Sequence, residues 1–352
     1  MELPKVSWIH LELTNVCNFD CEFCPTKVSK RSPKFMPLDM FKSAVDNIVE
    51  HGLATRIQLH VLGEPLLYKD ILTAVEHASS SGLKVMLTTN GSILTEEKIL
   101  GLANAGLYSL DISLQLYDGR RHVFRKASID FENYRNKILE AVAVIHKKTG
   151  IQLTVKLMNT KYKKLFSLSE AIELDQKGRE FKAIACSLIT DIYRSIGIDT
   201  QEGEILQRLK DVNLDSSKRI RLAENLFVFV QIFMDWGNAF CSKKIYPAKF
   251  GKCSFAFTAP SVLSDGTVAI CCGDYDGGTR LGNIHDTPLN EILQSDEAKR
   301  LWEGFRKNRL LHPYCQRCFG DKNPLFAAVK GLGSILVFKF MDFEGDKDLV
   351  LG

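Results

Sequence analysis

The sequence predicts an α/β protein in which a parallel sheet, covered by helices on its outside, is followed by a smaller mixed unit. Three observations lead there. From Trp8 to about Leu188, short β-branched and aliphatic runs alternate with amphipathic segments. Six β-then-α units follow one another in that stretch, fewer than the eight of a closed barrel, so the sheet is a partial barrel or an open one. After residue 251 the pattern gives way to a hairpin, short helices and a set of cysteines.

Taken in order, the expected strands are Trp8–Leu13, Ile57–Val61, Lys84–Thr89, Ser109–Leu114, Gln152–Met158 and Lys182–Ser187. Between them, Phe41, Ala44, Val45 and Ile48 recur at helical spacing after Asp39 as a cap. Tyr134, Ile138, Ala141, Val142 and Ile145 do the same after Asp130. Ligands on such a sheet bind at the carboxyl ends of the strands, which puts Thr14–Pro25, Leu62–Leu66 and Thr89–Gly91 where chemistry belongs. The expected organisation is a sheet unit at residues 1–190, a connector at 191–251, a second unit at 252–320 and a tail at 321–352. The connector holds a polar helix at Glu202–Lys210 and an apolar run from Leu226 that is compatible with a strand. The second unit has a hairpin, Ala259–Leu263 and Thr267–Cys271, turning through Ser264-Asp265-Gly266, then helices near Leu289–Leu293 and Glu297–Lys307. In the tail, Ile335–Met341 reads as a strand with no function attached.

With 352 residues, 45% hydrophobic and 25% charged, the chain can bury a large core without covalent staples. Forty-six basic against 42 acidic residues leave a net charge of +4 with no like-charge block, so neither nucleic acid nor a membrane surface is indicated as a partner. The longest apolar stretches, such as Leu226 to Met234, are far short of a membrane span. The opening MELPKVSWIHLEL lacks the basic and apolar regions of a secretory signal, so a cytoplasmic protein is expected. Stable disulfides are not expected in that compartment, which makes the 10 cysteines the feature to explain.

Seven of them form two constellations. Cys17-Asn18-Phe19-Asp20-Cys21-Glu22-Phe23-Cys24 is a C-x3-C-x2-C triplet directly after the first strand. Three thiolates on one short loop leave a tetrahedral set incomplete and suit a four-iron cluster with one iron open to another ligand. The alternative is a zinc knuckle finished by a distant residue such as His60, for which the spacing is poor. Cys253, Cys271, Cys315 and Cys318 read C-x17-C-x43-C-x2-C, two separated arms that can close around one centre. On spacing alone, zinc and a fully ligated four-iron cluster fit that set equally.

The first triplet, with aromatic Phe23 before its third cysteine, resembles that of the radical S-adenosylmethionine enzymes. That resemblance implies a partial (β/α)6 TIM-like barrel in which Cys17, Cys21 and Cys24 hold a [4Fe–4S] cluster, the remaining iron being chelated by the methionyl amine and carboxylate of S-adenosylmethionine. Reduction would cleave the cofactor to methionine and a 5′-deoxyadenosyl radical, chemistry that the protein orients and shields. Gly63-Glu64-Pro65 is similar to the family segment that meets the methionine amine, with Leu62 where the family has a further glycine. A carboxylate facing an ammonium gives Glu64 its physical reason. Thr88-Thr89-Asn90-Gly91 resembles the segment after strand three, and Ser113 and Arg125 match positions that bind the methionine carboxylate, for which arginine's forked donors are suited. Phe23 would sit near the adenine.

The second set, with Gly266, Cys271-Cys272-Gly273-Asp274 and Leu281-Gly282-Asn283-Ile284, resembles the SPASM/twitch extension of the same enzymes. No cysteine follows Cys318, which matches the shorter twitch form with one auxiliary [4Fe–4S] cluster in a small C-terminal α+β domain. Four cysteine ligands would leave no open iron, so that cluster would accept or conduct electrons. Cys186, Cys241 and Cys272 remain; free cysteine is commonly a small buried hydrophobe, whereas related epimerases use one to return a hydrogen atom, and Cys186 and Cys241 are the better placed. Asp235, His60, Gln115 and Tyr117 are further candidates for substrate contact.

The expectation is a radical S-adenosylmethionine oxidoreductase or epimerase. It would dehydrogenate or epimerise a carbohydrate-like (aminocyclitol or aminoglycoside) natural-product intermediate, fed by a flavodoxin- or ferredoxin-type reductant. Cys17 stands so near the start that no peptide-recognition domain precedes it, which weights against the alternative, a ribosomal-peptide maturase. A non-catalytic iron–sulfur electron-transfer protein would leave Glu64, Ser113 and Arg125 without a role.

Overall fold

A computed structural model of the chain describes residues 6–160, 178–233, 235–253, 255–340 and 349–350. Its strands are β1 (Ile9–Leu11), β2 (Arg56–Gln58), β3 (Lys84–Thr89), β4 (Ser109–Gln115), β5 (Gln152–Asn159), β6 (Lys218–Ala223), β7 (Leu226–Ile232), β8 (Ser261–Val262), β9 (Thr267–Ala269), β10 (Gly282–Asn283) and β11 (Leu349–Val350). They form one sheet in the order β10-β9-β8-β1-β2-β3-β4-β5-β7-β6-β11. From β8 through β7 every neighbour pairs in parallel, whereas β9, β10 and β6 join antiparallel at the two sides.

The helices between the parallel strands form where apolar residues recur on one stripe. Phe131–Lys148 starts as expected at Asp130, whose side chain accepts from the Asn133 amide at 3.0 Å, and it buries Tyr134, Ile138, Ala141, Val142 and Ile145. Leu38–Glu50 buries Phe41, Ala44, Val45 and Ile48, but Asp39 is not its cap. That helix starts after Pro37, and Asp39 sits inside its first turn, where a negative charge still favours the helix dipole. Along β4, Leu110, Ile112 and Leu114 are buried while Ser109, Asp111 and Ser113 are half-buried on the opposite, concave face.

Two expected strands are helices. Lys182–Ser187 lies within the helix Gly178–Ser195, because Phe181, Ala185, Leu188, Ile189 and Ile192 are buried at helical spacing and the short apolar run is only a fragment of that stripe. The sixth parallel strand is instead β7, supplied by the apolar run inside the expected connector and paired with β5 from Leu153↔Leu226 to Asn159↔Ile232. In the tail, the helix Pro324–Phe340 replaces the expected strand Ile335–Met341, of which Met341 lies outside the described residues. Ala327, Gly331 and Ser334 give it a narrow face on which to lie against the protein.

The hairpin of the second unit forms as expected and does more than cap that unit. Strand β8 pairs with β1 (His10↔Ser261, Leu11↔Val262), and the His10 and Glu12 amides donate to the Pro260 and Val262 carbonyls at 2.9 Å. Among the described residues, no helix is long and apolar enough to cross a membrane.

Candidate functional site

The first cysteine loop leaves the carboxyl end of β1 and is held from three sides. Gly63 approaches it so closely that an added Cβ would stand 2.4 Å from the Thr14 carbonyl oxygen and 2.8 Å from that of Val16, and its φ of 76° also favours glycine. From the side of β3, the Asn90 amide donates to Asn18 Oδ1 at 2.9 Å and reaches Cys17 Sγ at 3.9 Å. From beyond β4, the Glu22 amide donates to the Phe124 carbonyl at 2.8 Å, and Lys126 pairs with Glu22 at 3.2 Å. Cys17, Cys21 and Cys24 are all half-buried and free. Burial pushes the Cys17 thiol up to about 12 and raises the other two, with neighbouring thiols adding to the shift at Cys17 and Cys21.

Glu64 is buried beneath this loop. Its Oε1 accepts from the Leu66 amide at 3.0 Å and the Thr89 hydroxyl at 2.7 Å, and Oε2 accepts from the Asn90 amide at 2.7 Å. It therefore locks the loop after β2 to the loop after β3, and one acceptor position on Oε2 stays free. Burial raises its pKa, against the hydrogen bonds. Arg125 is also buried: Nη1 donates to the Ser113 and Leu114 carbonyls at 2.8 and 2.7 Å, and the guanidinium lies over the rings of Phe19 and Tyr134 at 4.9 and 5.4 Å. Its Nε is buried without a hydrogen-bond partner. Its charge pulls down the pKa values of Cys21, Cys24 and Glu64, so all three lie within its field. Phe23 is buried with Leu116, Met158 and Phe233 beside Cys21.

The second cysteine set is assembled by hydrogen bonds within its own unit and from the segment just before it. Asp274 is fully buried and accepts from the Gly278 amide at 2.7 Å and from the Thr279 amide and hydroxyl at 2.6 Å, closing the turn after Cys271. The short helix Pro313–Cys318 carries the last pair, and the Tyr314 hydroxyl donates to the Gly273 carbonyl at 2.9 Å. The Asn238 amide donates to the Arg317 carbonyl at 2.8 Å and the Gly320 carbonyl at 3.2 Å, while Gly237 leaves room for the Cys318 sulfur, 3.2 Å from where its Cβ would be. Burial pushes the Cys315 thiol up to about 12 and raises Cys253, Cys271 and Cys318. Cys253 acts electrostatically on the other three, so the four thiols converge. Among the described residues, no group of three or more His, Cys, Asp or Glu side chains is arranged around a single metal position. The His60 carbonyl is 2.7 Å from His10 Nδ1, and the two imidazoles lie in each other's field.

The remaining candidates are not gathered at this site. Cys186 lies on the outer helix Gly178–Ser195, its thiol donating to the Glu202 carbonyl at 3.0 Å, and Cys241 is buried with its thiol 3.7 Å from the Lys243 carbonyl. Tyr117 is tied to Asp191 and Arg135 at 2.5 and 2.7 Å on the helical side. Asp235 accepts from the Asn238 amide at 3.1 Å near Cys318, and Gln115 ends β4 in the left-handed region with a φ of 64°. Burial pushes the Cys272 thiol up to about 12, with Cys253 adding and Lys156 opposing, and the Lys156 ammonium is 2.7 Å from Asp111 on the concave face. His10 and His60 feel the same ammonium, and burial lowers their pKa values to about 4 and about 3.

Sequence reasoning missed the buried pair of Glu12 and Arg31. Arg31 binds both carboxylate oxygens of Glu12 and donates to the Ser264 hydroxyl and the Tyr275 carbonyl at 2.9 Å. Glu12 also accepts from the amides of Leu62 and Ser264 at 3.1 and 2.9 Å, and Ser29 pairs with Asp276. One ion pair thus joins the end of β1, the loop before Gly63, the segment after the first cysteines and the second unit. Its signal was present as a lone acidic residue in the apolar run WIHLEL.

A parallel sheet with a cysteine triplet, a buried carboxylate and a buried arginine at its carboxyl end, and a four-cysteine unit stitched to its edge, defines an iron–sulfur protein class. Residues 11–161 match the family model described as "Radical SAM superfamily", and residues 253–319 match that described as "Iron-sulfur cluster-binding domain", the SPASM domain. The chain belongs to the radical S-adenosylmethionine superfamily and carries a SPASM domain; the first implies S-adenosylmethionine and a [4Fe–4S] cluster, the second additional iron–sulfur ligation. It is 34% identical over 147 residues to a PqqA peptide cyclase of Bradyrhizobium diazoefficiens, covering 41% of this chain and 37% of that protein. It is 30% identical over 122 residues to an S-adenosyl-L-methionine-dependent 2-deoxy-scyllo-inosamine dehydrogenase of Niallia circulans, covering 34% of this chain and 48% of that protein. The matches therefore span less than half the length of either relative. The crystal structure of BtrN in complex with AdoMet and 2-DOIA superposes with a TM-score of 0.51 at 17% identity, over 86% of this chain and 88% of that one, a likeness of fold.

Proposed function

We propose that this chain is a radical S-adenosylmethionine oxidoreductase acting on a small, hydroxyl- and amine-bearing substrate of the aminocyclitol or aminoglycoside kind. Cys17, Cys21 and Cys24 would hold the cofactor-binding [4Fe–4S] cluster, and Cys253, Cys271, Cys315 and Cys318 an auxiliary one. When bound, the first cluster and S-adenosylmethionine supply a carbon-centred radical that takes a hydrogen atom from substrate. The donor set fits them: three half-buried thiols on one loop, a free acceptor position on Glu64 Oε2 for an ammonium, and an unpartnered Arg125 Nε for a carboxylate. Gly63, Asn90 and Ser113 would line the cofactor backbone, and Phe23 the adenine. An exogenous flavodoxin- or ferredoxin-type protein would supply the electron, and the cytoplasm is the compartment we assign.

The observation that supports the substrate class is the Lys156–Asp111 pair, 2.7 Å apart and half-exposed on the concave face beside His10 and His60. The layer is paired in charge and flanked by imidazoles held neutral, which suits a substrate offering hydroxyls and an amine better than one offering a strong net charge. Asp111 Oδ2 is the acceptor there for a hydroxyl proton, and Lys156 Nζ holds the resulting oxygen. The named activity of the Niallia circulans relative agrees with this reading.

The name of the Bradyrhizobium diazoefficiens relative supports a second reading, peptide maturation. Anaerobic incubation with S-adenosylmethionine, dithionite and a panel of aminocyclitols, including 2-deoxy-scyllo-inosamine, separates the two. The expected products are 5′-deoxyadenosine and a two-electron-oxidised ring; in deuterated water, deuterium on carbon would instead report epimerisation. Absence of 5′-deoxyadenosine in every reaction overturns the enzymatic reading, and cofactor cleavage that responds only to peptides overturns the substrate class.

A further inference from the structure

The C-terminal helix is mounted the opposite way round from an ordinary surface helix. Its inward face is made of small residues. Ala327 is buried, Gly331 lies so close to the chain that a Cβ would stand 2.2 Å from the Phe250 carbonyl oxygen, and Ser334 accepts from the Lys252 amide at 3.0 Å. Its outward face carries Leu325, Phe326, Val329, Leu332 and Leu336, each between 54% and 69% exposed. A surface helix normally buries such residues and exposes polar ones. Between Leu325 and Leu336 the only charged residue is Lys330, and it is spent on Asp321 at 2.6 Å.

We propose that this face is a self-association surface, covered by the same helix of a second copy of the chain. Leu325, Val329, Leu332 and Leu336 follow one another at intervals of four, three and four, the seam of a two-helix coil. An uncharged patch of one kind is complementary to itself, as a two-fold interface requires. Five such side chains expose roughly 100 Å² apiece, so a symmetric pair removes about 1,000 Å² from water, at the lower end of specific interfaces. A seam of two heptads at that area, below the standard size of permanent interfaces, gives a reversible dimer. The helix rests on Phe250–Lys252, directly before Cys253, so the second copy would lie next to the segment that carries the first thiol of the four-cysteine unit.

Sedimentation equilibrium of the full-length, cluster-loaded protein under anaerobic conditions, from about 1 to about 100 µM, tests this. The wild type is expected to move from one chain toward two across that range. Leu332→Glu is expected to raise the midpoint by more than about tenfold, and the milder Leu332→Ala by a few-fold, both with unchanged iron content and circular dichroism. Leu206→Glu, an exposed position on the helix Glu202–Arg208, is expected to leave the midpoint where it was. A wild type that stays one chain at the highest concentration, or a Leu332→Glu protein that pairs like the wild type, overturns the proposal. So does a one-chain wild type that floats with phosphatidylcholine vesicles while Leu332→Glu does not, since the face would then be seeking lipid.

Discussion

The two cysteine regions are built on opposite plans. The first places three thiols within one loop and relies on distant segments to hold that loop: the Gly63 backbone from behind β2, the Asn90 side chain from behind β3 and the Phe124 carbonyl from beyond β4. The second draws its four thiols from segments scattered over residues 253–318 and holds them with its own Asp274 and Tyr314 and with Asn238 from the segment before it. The first is left with unspent polar capacity, on Glu64 and at Arg125 Nε; around Asp274 the second closes its polar groups on each other. A region that must receive a ligand keeps unpaired groups in place at some cost in stability, whereas one that only has to persist spends them internally.

If the regions are separable in this way, they can be removed separately. Cys17→Ala is expected to abolish cleavage of S-adenosylmethionine and to lower iron content by about half. Cys315→Ala is expected to lower iron by a similar fraction while leaving cofactor cleavage under dithionite. Loss of all iron in both variants would show that the two regions stand or fall together. The joint between them is the next place to press. Arg31→Met leaves the carboxylate of Glu12 buried without its cation, which costs on the order of 3–5 kcal/mol and should lower both urea and thermal midpoints.

The concave face supplies a pH signature through its two histidines. Burial keeps His10 and His60 neutral, with pKa values of about 4 and about 3 against 6.5 for an ordinary histidine. The unfolded chain takes up protons near 6.5 and the folded one does not. Their contribution is therefore whole above that pH and is lost as the pH falls toward 4 and then 3, by an amount on the order of a few kcal/mol. Denaturant titrations across that window should show the slope, and His60→Gln should flatten it. At the level of helix caps the regions should not differ: Asp130→Ala and Ser295→Ala each remove a side-chain acceptor from a helix start, at about 1 kcal/mol apiece.

What could be read in advance follows the same division. A triplet confined to one loop, and the Gly63-Glu64-Pro65 and Asn90 turns beside it, are local patterns and stand in the sequence as such. The strands β3, β4 and β5 were equally legible because each keeps its apolar pattern to its end. Lys182–Ser187 was not, since six residues cut from an 18-residue helix show no period, and Ile335–Met341 was not, since its β-branched and aromatic side chains carry strand propensity while Gly331 and Ser334 decide the packing. Glu12 and Arg31 find each other only after β1 and the loop beyond the cysteines are folded. Asp111 and Lys156 likewise meet only because β4 and β5 pair with Thr154 opposite Asp111.

The pairing of β8 with β1 has a mechanical meaning. The two cysteine regions are far apart along the chain, with the whole connector between them, yet they share one hydrogen-bonded ladder. Lengthening or shortening the connector would change how the chain travels between them without changing their separation, which is set by a single step across the sheet. The separation of the two regions is in this way a property of the sheet and not of the length of chain between them.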